Sequence, residues 1–554
     1  MSIVIDGRKT EFESGTSILE YAKKLGFETG NTADRPLAAI IGGKVFNLMF
    51  APKQECELSL LRFSDEEGRR VYERTLQFVL ILAMRKLFPK ARVVVQYSLG
   101  EGVYININKV GGLSDADVES IKREMRAITD AEYPFTRRRM DIDYALDFYS
   151  GDGQLDKAEL LKWRNFNYFD VYTCPEYSDY MDYYYGEIAP SSSYVKVFDI
   201  KRIGDSIIML MPSREDPQRA AEYAESPRML SVFEQTDNWG RLMRVSTVHE
   251  LNNRVRDGSI RELVRVNEAL HEKNYSRIAD DIIAKNAKAV MLAGPSSSGK
   301  TTSANRIATQ LRASGLDPVM LSLDDYYIDR DKIARDENGE LDLEHINTLD
   351  TDRFASDLKI LLSGGEAEIP RFSFITHKRE GYVPLKLQKD QPVIIEGIHA
   401  LNPLMLGDID PSRVFRIYVS ALPTLNLDDH NRIRTTDLRL LRRLVRDYGT
   451  RGASIEQTLG MWASVRRGET RWIFPYQENA DRIVNTTLHY EPAVMKKHIF
   501  PMLNDIQPES KYYYAARSIV KSLNYFLEAE IEDEIPPTSV IREFIGGNSF
   551  YRKD

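Results

Sequence analysis

The 554-residue sequence predicts an α/β protein of several domains, whose C-terminal half is a parallel sheet flanked by helices. Three observations predict it. The apolar run Ala289-Val290-Met291-Leu292-Ala293 passes through a glycine-bounded loop into Ala304, Ile307, Ala308 and Leu311 at helical spacing. Two more short apolar runs, at 318–323 and 393–395, end in Asp324-Asp325 and Glu396, as buried parallel strands do when they deliver acids to one sheet edge. The front of the chain alternates short strands with helices, which adds smaller α+β units to that sheet.

Length sets the scale. At about 150 residues per domain the chain divides into three or four. Apolar residues at 42% and charged ones at 29% exclude extensive disorder. A net charge of -8 gives no global reason for nucleic acid or an acidic membrane as partner, so RNA binding is left without support from charge. Cys56 and Cys174 stand far apart and exclude a disulfide framework or a cysteine zinc site. No apolar run approaches the roughly 18 residues of a membrane span, and the N-terminus lacks a basic region followed by an apolar core. The expectation is a soluble, cytoplasmic protein.

Residues 1–62 open with Ile3-Val4-Ile5, then Asp6-Gly7, then a second strand to Phe12, a hairpin pattern. Ser17 stands three residues before Glu20 at the head of Ile18, Tyr21, Ala22 and Leu25, a capping box. Strands at 38–41 and 58–61 complete a ββαββ unit. The run IDGRKTEFESGTSILEYAKKLG resembles the TGS domain, a β-grasp module found at the front of threonyl-tRNA synthetases.

Residues 63–212 continue the resemblance into an α+β domain like the editing domain of those synthetases. That family carries two histidines four apart on a helix, and later a cysteine and a histidine. The helix RTLQFVLILAMRKLFP puts Arg74 and Phe78 at the first pair, and YYGEIAPSSSYVKVF puts Tyr184 and Ile188 at the second. Such side chains cannot hold zinc or act through imidazole and thiolate, so the domain is expected to be inactive. The tyrosine-rich stretch 163–185 is acidic, and is read as an interface in preference to a base-stacking surface. Residues 213–287 read as a helical connector; His249-Glu250 and His271-Glu272 fail H-E-x-x-H because Asn253 and Tyr275 follow.

Residues 288–520 carry the chemistry, and 521–554 form a tail that the sequence does not place. Gly294, Pro295, Ser296, Ser297, Ser298, Gly299, Lys300 and Thr301 match G-x-x-x-x-G-K-[ST] between strand and helix. With Thr302 they are expected to surround a triphosphate by backbone N–H groups and the helix dipole. Lys300 would reach the β- and γ-phosphates, and the Thr301 hydroxyl and Glu396 would serve Mg2+. Asp324 is placed to accept the proton of an attacking hydroxyl, although the pair Asp324-Asp325 leaves the choice open. Arg439, Arg442, Arg443 and Arg446 recur at helical spacing as a cationic stripe opposite Leu440, Leu441, Leu444 and Val445, expected to close over the transferring phosphoryl group.

GPSSSGKTT, LSLDDYY, DLEHINTLD, IPRFSFITHKR, VIIEGIHAL and RRLVRDYGTRG occur in the order of the uridine kinase branch of the phosphoribulokinase/uridine kinase family, which the stretch of about 288–490 resembles. The resemblance implies a P-loop NTPase-type kinase using ATP or GTP with Mg2+ on the 5′-hydroxyl of uridine or cytidine. It makes Asp324 the base and gives Glu344 the ribose hydroxyls, where these kinases usually have Asp. Tyr327, Phe372 and His377 would surround the pyrimidine, and Arg443, Arg446 and Arg451 would form the lid. Phe372 replaces a common Tyr, and Ala453 a common Arg. A kinase of another hydroxyl compound is the neighbouring alternative. A translation-associated NTP-binding module is the distant one, suggested by D-x-x-G at Asp336 to Gly339 but lacking N-K-x-D. Homo-oligomerisation stays open.

Overall fold

The computed structural model describes residues 2–550 apart from 29, 164–166, 334, 336–341, 374–375 and 408. Strands β1 (Ser2–Ile5) and β2 (Arg8–Glu11), helix α1 (Ile18–Lys24) and strands β3 (Ala38–Ile41), β4 (Lys44–Phe46) and β5 (Cys56–Leu61) form a sheet ordered β2-β1-β5-β3-β4. The β1–β2 turn has positive φ at both central residues, Asp6 at 45° and Gly7 at 79°, the twist that suits a two-residue hairpin. Ser17 and Glu20 form the expected reciprocal cap of α1. One strand exceeds expectation: β4 is three residues long, too short to show alternation.

Helix α2 (Glu66–Leu87), strands β6 (Arg92–Leu99) and β7 (Gly102–Asn108), helices α3 (Asp115–Asp130), α4 (Ile142–Gly151) and α5 (Leu155–Leu161), and strands β8 (Thr136–Asp141), β9 (Tyr168–Cys174), β10 (Ser178–Asp182), β11 (Asp199–Ile203) and β12 (Ser206–Leu210) follow. They make two antiparallel sheets, β10-β9-β8 and β11-β12-β7-β6. From Leu76 to Met84 helix α2 is buried on all sides: Val71, Leu76, Phe78 and Leu82 share one core with Ile3, Ile18 and Ile105.

Helices α6 (Pro227–Leu242), α7 (Val248–Asp257) and α8 (Ile260–Ala284) lead to β13 (Ala289–Ala293). The helical reading of 213–287 holds for these elements, but α8 does not stand clear as a connector. Its Tyr275, Ile278 and Ile282 pack with Ile307, Ala308 and Leu311 of α9 (Lys300–Ala313) over Leu292 of β13. The remaining elements are β14 (Val319–Ser322), α10 (Thr351–Leu362), the hairpin β15 (Glu366–Ser373) and β16 (Lys378–Lys386), β17 (Val393–Glu396), β18 (Val414–Ser420), β19 (Asn426–Asp428), β20 (Asn431–Arg432), α11 (Thr435–Arg451), α12 (Ile455–Trp472), β21 (Arg482–Asn485), α13 (Glu491–Asn504), α14 (Tyr513–Leu523) and α15 (Arg542–Ile545). The main sheet is wholly parallel, ordered β14-β17-β13-β18-β21, with β13 central. The carboxyl ends of β13, β14 and β17 therefore lie side by side, where open parallel sheets bind ligands.

Among the described residues no helix is long and apolar enough to cross a membrane. Tyr180, Tyr183 and Tyr184 are buried, and the Tyr183 hydroxyl lies 3.1 Å from that of Tyr525, so the tyrosine-rich stretch joins the front of the chain to its end.

Candidate active site

The loop after β13 is shaped by one close approach. A Cβ on Gly294 would sit 2.1 Å from the Val419 carbonyl oxygen of β18, so only glycine lets the chain pass. Gly299 enters α9 with φ of 85°, and Ser297 also adopts positive φ, at 59°. The buried Ser297 and Ser298 hydroxyls have no hydrogen-bond partner among the described residues. Lys300 folds back to donate to the Pro295 carbonyl at 3.3 Å and makes no ion pair among the described residues. The loop thus presents a cation and the start of a helix to one space, the setting that binds phosphate groups.

Three acids face that cation. Asp324 follows β14, and its carboxylate has no hydrogen-bond or ion-pair partner among the described residues; burial raises its pKa, Lys300 and Arg451 lower it and Asp325 raises it. The adjacent Asp325 differs: it accepts from Arg371 at 2.8 Å. Glu396 closes β17 and accepts from the Ser322 hydroxyl at 3.0 Å; burial and the Asp324 charge push it up to about 7. Glu344 is likewise pushed up to about 7 by burial and by Glu469. All three are electrostatically coupled to Lys300.

A pH dependence follows with a definite sign. Glu344 and Glu396 take up protons more readily folded than unfolded, so their contribution to stability is full below about pH 4.5 and is lost as pH rises through about 7. Thermal melting of the ligand-free protein should therefore show a stability loss across that window, and Glu344→Gln should flatten it. An unchanged slope in the variant would show that Glu344 is not so perturbed.

The arginine stripe corrects the sequence expectation. Arg439 and Arg442 are 0% exposed, and neither faces an open cleft. Arg439 pairs with Glu469 and donates to the Ser296 carbonyl at 2.9 Å; Arg442 pairs with Glu491 at 2.7 Å and donates to the Thr486 carbonyl at 2.8 Å. These two hold the phosphate loop in place from behind, and their charges are neutralised there. Arg443 donates to the Ser296 hydroxyl at 2.8 Å, Arg446 pairs with Asp447 at 2.8 Å, and Arg451 is 61% exposed, 3.8 Å from Asp447. Arg443 and Arg451 act electrostatically on the acids, on Glu344 and Asp324 respectively.

The C-terminal tail, unplaced by sequence, reaches the loop. Val540 packs on Gly299, where a Cβ would meet its Cγ1 at 2.6 Å. Glu543 accepts from the Thr302 hydroxyl at 2.7 Å, and its charge helps to raise the pKa of Glu396. Asn548 also donates to that hydroxyl, at 3.2 Å. A carboxylate so placed takes the helix-terminal position an anion favours. Glu543→Gln should tighten triphosphate binding roughly fivefold in a calorimetric titration; weaker binding would make Glu543 part of the binding site itself.

Beside Asp324, the Tyr327 and Phe372 rings lie 5.6 Å apart, and Tyr327 is electrostatically coupled to Asp324 and Glu344. His377 sits on the β15–β16 turn with its Nε2 3.0 Å from Arg330. Thr301 opens α9 with no hydrogen bond from its hydroxyl among the described residues. No three His, Cys, Asp or Glu side chains among those residues converge on a metal position. Asp336 to Gly339 lie outside the described residues. Glu469, Glu491 and Glu543 had no motif to mark them.

At the front of the chain, Arg74, Phe78, Tyr184 and Ile188 are taken up in packing and hydrogen bonding. The Phe78 and Tyr184 rings meet edge to face at 6.1 Å, Ile188 is buried, and Arg74 donates to the Glu187 carbonyl at 2.9 Å.

Residues 289–490 match the model of the Phosphoribulokinase / Uridine kinase family. The N-terminal region is similar to threonine-tRNA ligases. That of Desulforamulus reducens is 29% identical over 198 residues, 36% of this chain and 30% of the ligase. That of Symbiobacterium thermophilum is 31% identical over 196 residues, 35% of this chain and 29% of the ligase. The chain thus spans under a third of the length of these relatives. A solved structure from Silicibacter sp. TM1040, described as a candidate fructose transport system kinase, is 20% identical with a TM-score of 0.29, covering 38% of this chain and 98% of that one.

Proposed function

We propose that the chain is an ATP-dependent phosphotransferase acting on a small hydroxyl compound, and that its acceptor is the 5′-hydroxyl of uridine or cytidine. The observation that supports it most is Asp324, a buried carboxylate coupled to Lys300 and without a partner among the described residues, whose neighbour is tied to Arg371. Burial raises its basicity, which suits a group that must take a proton from an alcohol near neutral pH.

In this reading the N–H groups from Gly294 to Thr302 orient the triphosphate, and Lys300 holds its terminal phosphates in line with the acceptor oxygen. Asp324 accepts the hydroxyl proton as that oxygen attacks. Arg443, next to Ser296, offsets charge on the transferring group, and Arg446 and Arg451 are assigned to the lid. The donor set suits Mg2+: Thr301, Asp324 and Glu396 offer oxygens, and next to burial it is the Asp324 charge that raises the pKa of Glu396, a repulsion a cation would relieve. Thr301 and Glu396 would hold the ion, which when bound neutralises charge building on the phosphates.

Tyr327 and Phe372 form the wall against which a flat base would stack, with His377 beyond it, and Glu344 is left for the ribose hydroxyls. Residues 1–62 and 63–212 are read as domains retained for binding or positioning, with 288–520 catalytic. Phe372→Ala should raise KM for uridine or cytidine about tenfold while leaving KM for ATP unchanged. Equal loss with sugar phosphates and nucleosides would move the acceptor to another hydroxyl compound.

A further inference from the structure

Between the start of α2, the β6–β7 turn and α12 lies a cleft of ≈ 540 Å³, lined by eight arginines and three glutamates and by no residue of the phosphate loop. The pairing inside it is incomplete. Glu73 takes both Arg432, at 2.9 Å, and Arg434, at 3.2 Å. Glu101 pairs with Arg214, at 3.5 Å. Arg466 belongs to Glu469, at 2.7 Å. Arg69 makes no ion pair among the described residues; its guanidinium lies 5.0 Å from the centre of the Phe63 ring and its Nε is buried without an acceptor. The Nε of Arg432, on a side chain 6% exposed, is also buried without one.

Crowding guanidinium groups in a partly buried cleft with too few acceptors is costly, and Arg69, Arg214 and Arg434 register the cost. Burial and the nearby Arg214 bring Arg69 down to about 10. Burial, then repulsion from Arg466, lowers Arg214, and burial lowers Arg434. Each would recover its ordinary affinity for the proton beside a multiply charged anion.

The shape and chemistry select the anion. Guanidinium forks match phosphate oxygens two at a time, and the under-paired ones come from separate walls, so a single carboxylate cannot serve them all. A half-open cleft of ≈ 540 Å³ suits a compact molecule. A nucleic-acid surface would need a basic stripe with exposed rings, whereas the net charge is -8 and Tyr180, Tyr183 and Tyr184 are buried elsewhere.

We propose that this cleft is a second anion site, which binds a small molecule carrying a chain of two or more phosphates through Arg69, Arg214 and Arg432. The source of that chain is inorganic polyphosphate or a phosphorylated nucleotide. The test titrates inorganic tripolyphosphate, and separately ATP, into full-length Lys300→Ala protein by calorimetry, then repeats both with Arg214→Glu or Arg69→Gln added. Arg214 is 50% exposed, so its replacement leaves the fold least disturbed. The expected result is one tripolyphosphate bound by Lys300→Ala protein, weakened at least about tenfold by either arginine change. ATP binding at equal strength assigns recognition to the phosphate chain alone; tighter ATP binding that is equally arginine-sensitive assigns the nucleotide. No binding by Lys300→Ala protein, binding indifferent to both arginine changes, or tighter arginine-dependent binding of a short single-stranded RNA overturns the proposal.

Discussion

Lys300→Ala should weaken triphosphate binding at the phosphate loop by roughly 100-fold, about 3 kcal/mol, and with it abolish turnover at ordinary nucleotide concentrations. Two effects add. The ammonium group is lost from the terminal phosphates, and Asp324, Glu344 and Glu396 lose the cation to which all three are coupled. Their carboxylates would then face the incoming phosphates with less compensation, or stay protonated. Binding of a fluorescent ATP analogue to wild-type and variant protein measures the change. Near-equal affinities would show that Lys300, bonded to Pro295 in the ligand-free loop, does not turn toward the ligand.

Asp324→Asn should act on the other half of the reaction. The amide keeps the shape of the carboxylate but cannot take a proton, so turnover should fall by roughly 10²- to 10⁴-fold, the range for a lost general base. Removing a negative charge beside Lys300 should leave triphosphate affinity unchanged or slightly improved. Single-turnover kinetics at saturating ATP separate the two quantities. A variant turning over at near the wild-type rate would move the base elsewhere. Asp325→Asn is the matched control: that carboxylate is held by Arg371 and should matter for the position of the β15–β16 hairpin more than for the proton.

The sequence made the local parts of this site legible. An apolar strand, a glycine-bounded loop and a capped helix are signals written in adjacent residues, and β13 and α9 fall where they were expected. Asp6-Gly7 and the Ser17 cap are of the same kind. What escaped was pairing across the chain. The spacing of Arg439 and Arg442 gives a helix face, but it cannot reveal that Glu469 and Glu491, 30 and 49 residues on, neutralise them. The same limit hid Glu543, which meets Thr302 across 241 residues. The α8 helix looked like a connector for the same reason: its apolar face is evident in sequence, but its partner on α9 is not. Arg371, which pairs with one of two adjacent aspartates, lies 46 residues from the one it holds.

Release of ADP by the full chain with Mg2+ and ATP, followed across a panel of nucleosides and sugar phosphates, tests the central claim most directly. The account predicts release that requires a hydroxylated acceptor, is greatest with uridine or cytidine, and disappears in both Lys300→Ala and Asp324→Asn proteins. No release with any acceptor, or release of equal size in the Asp324→Asn protein, would contradict it.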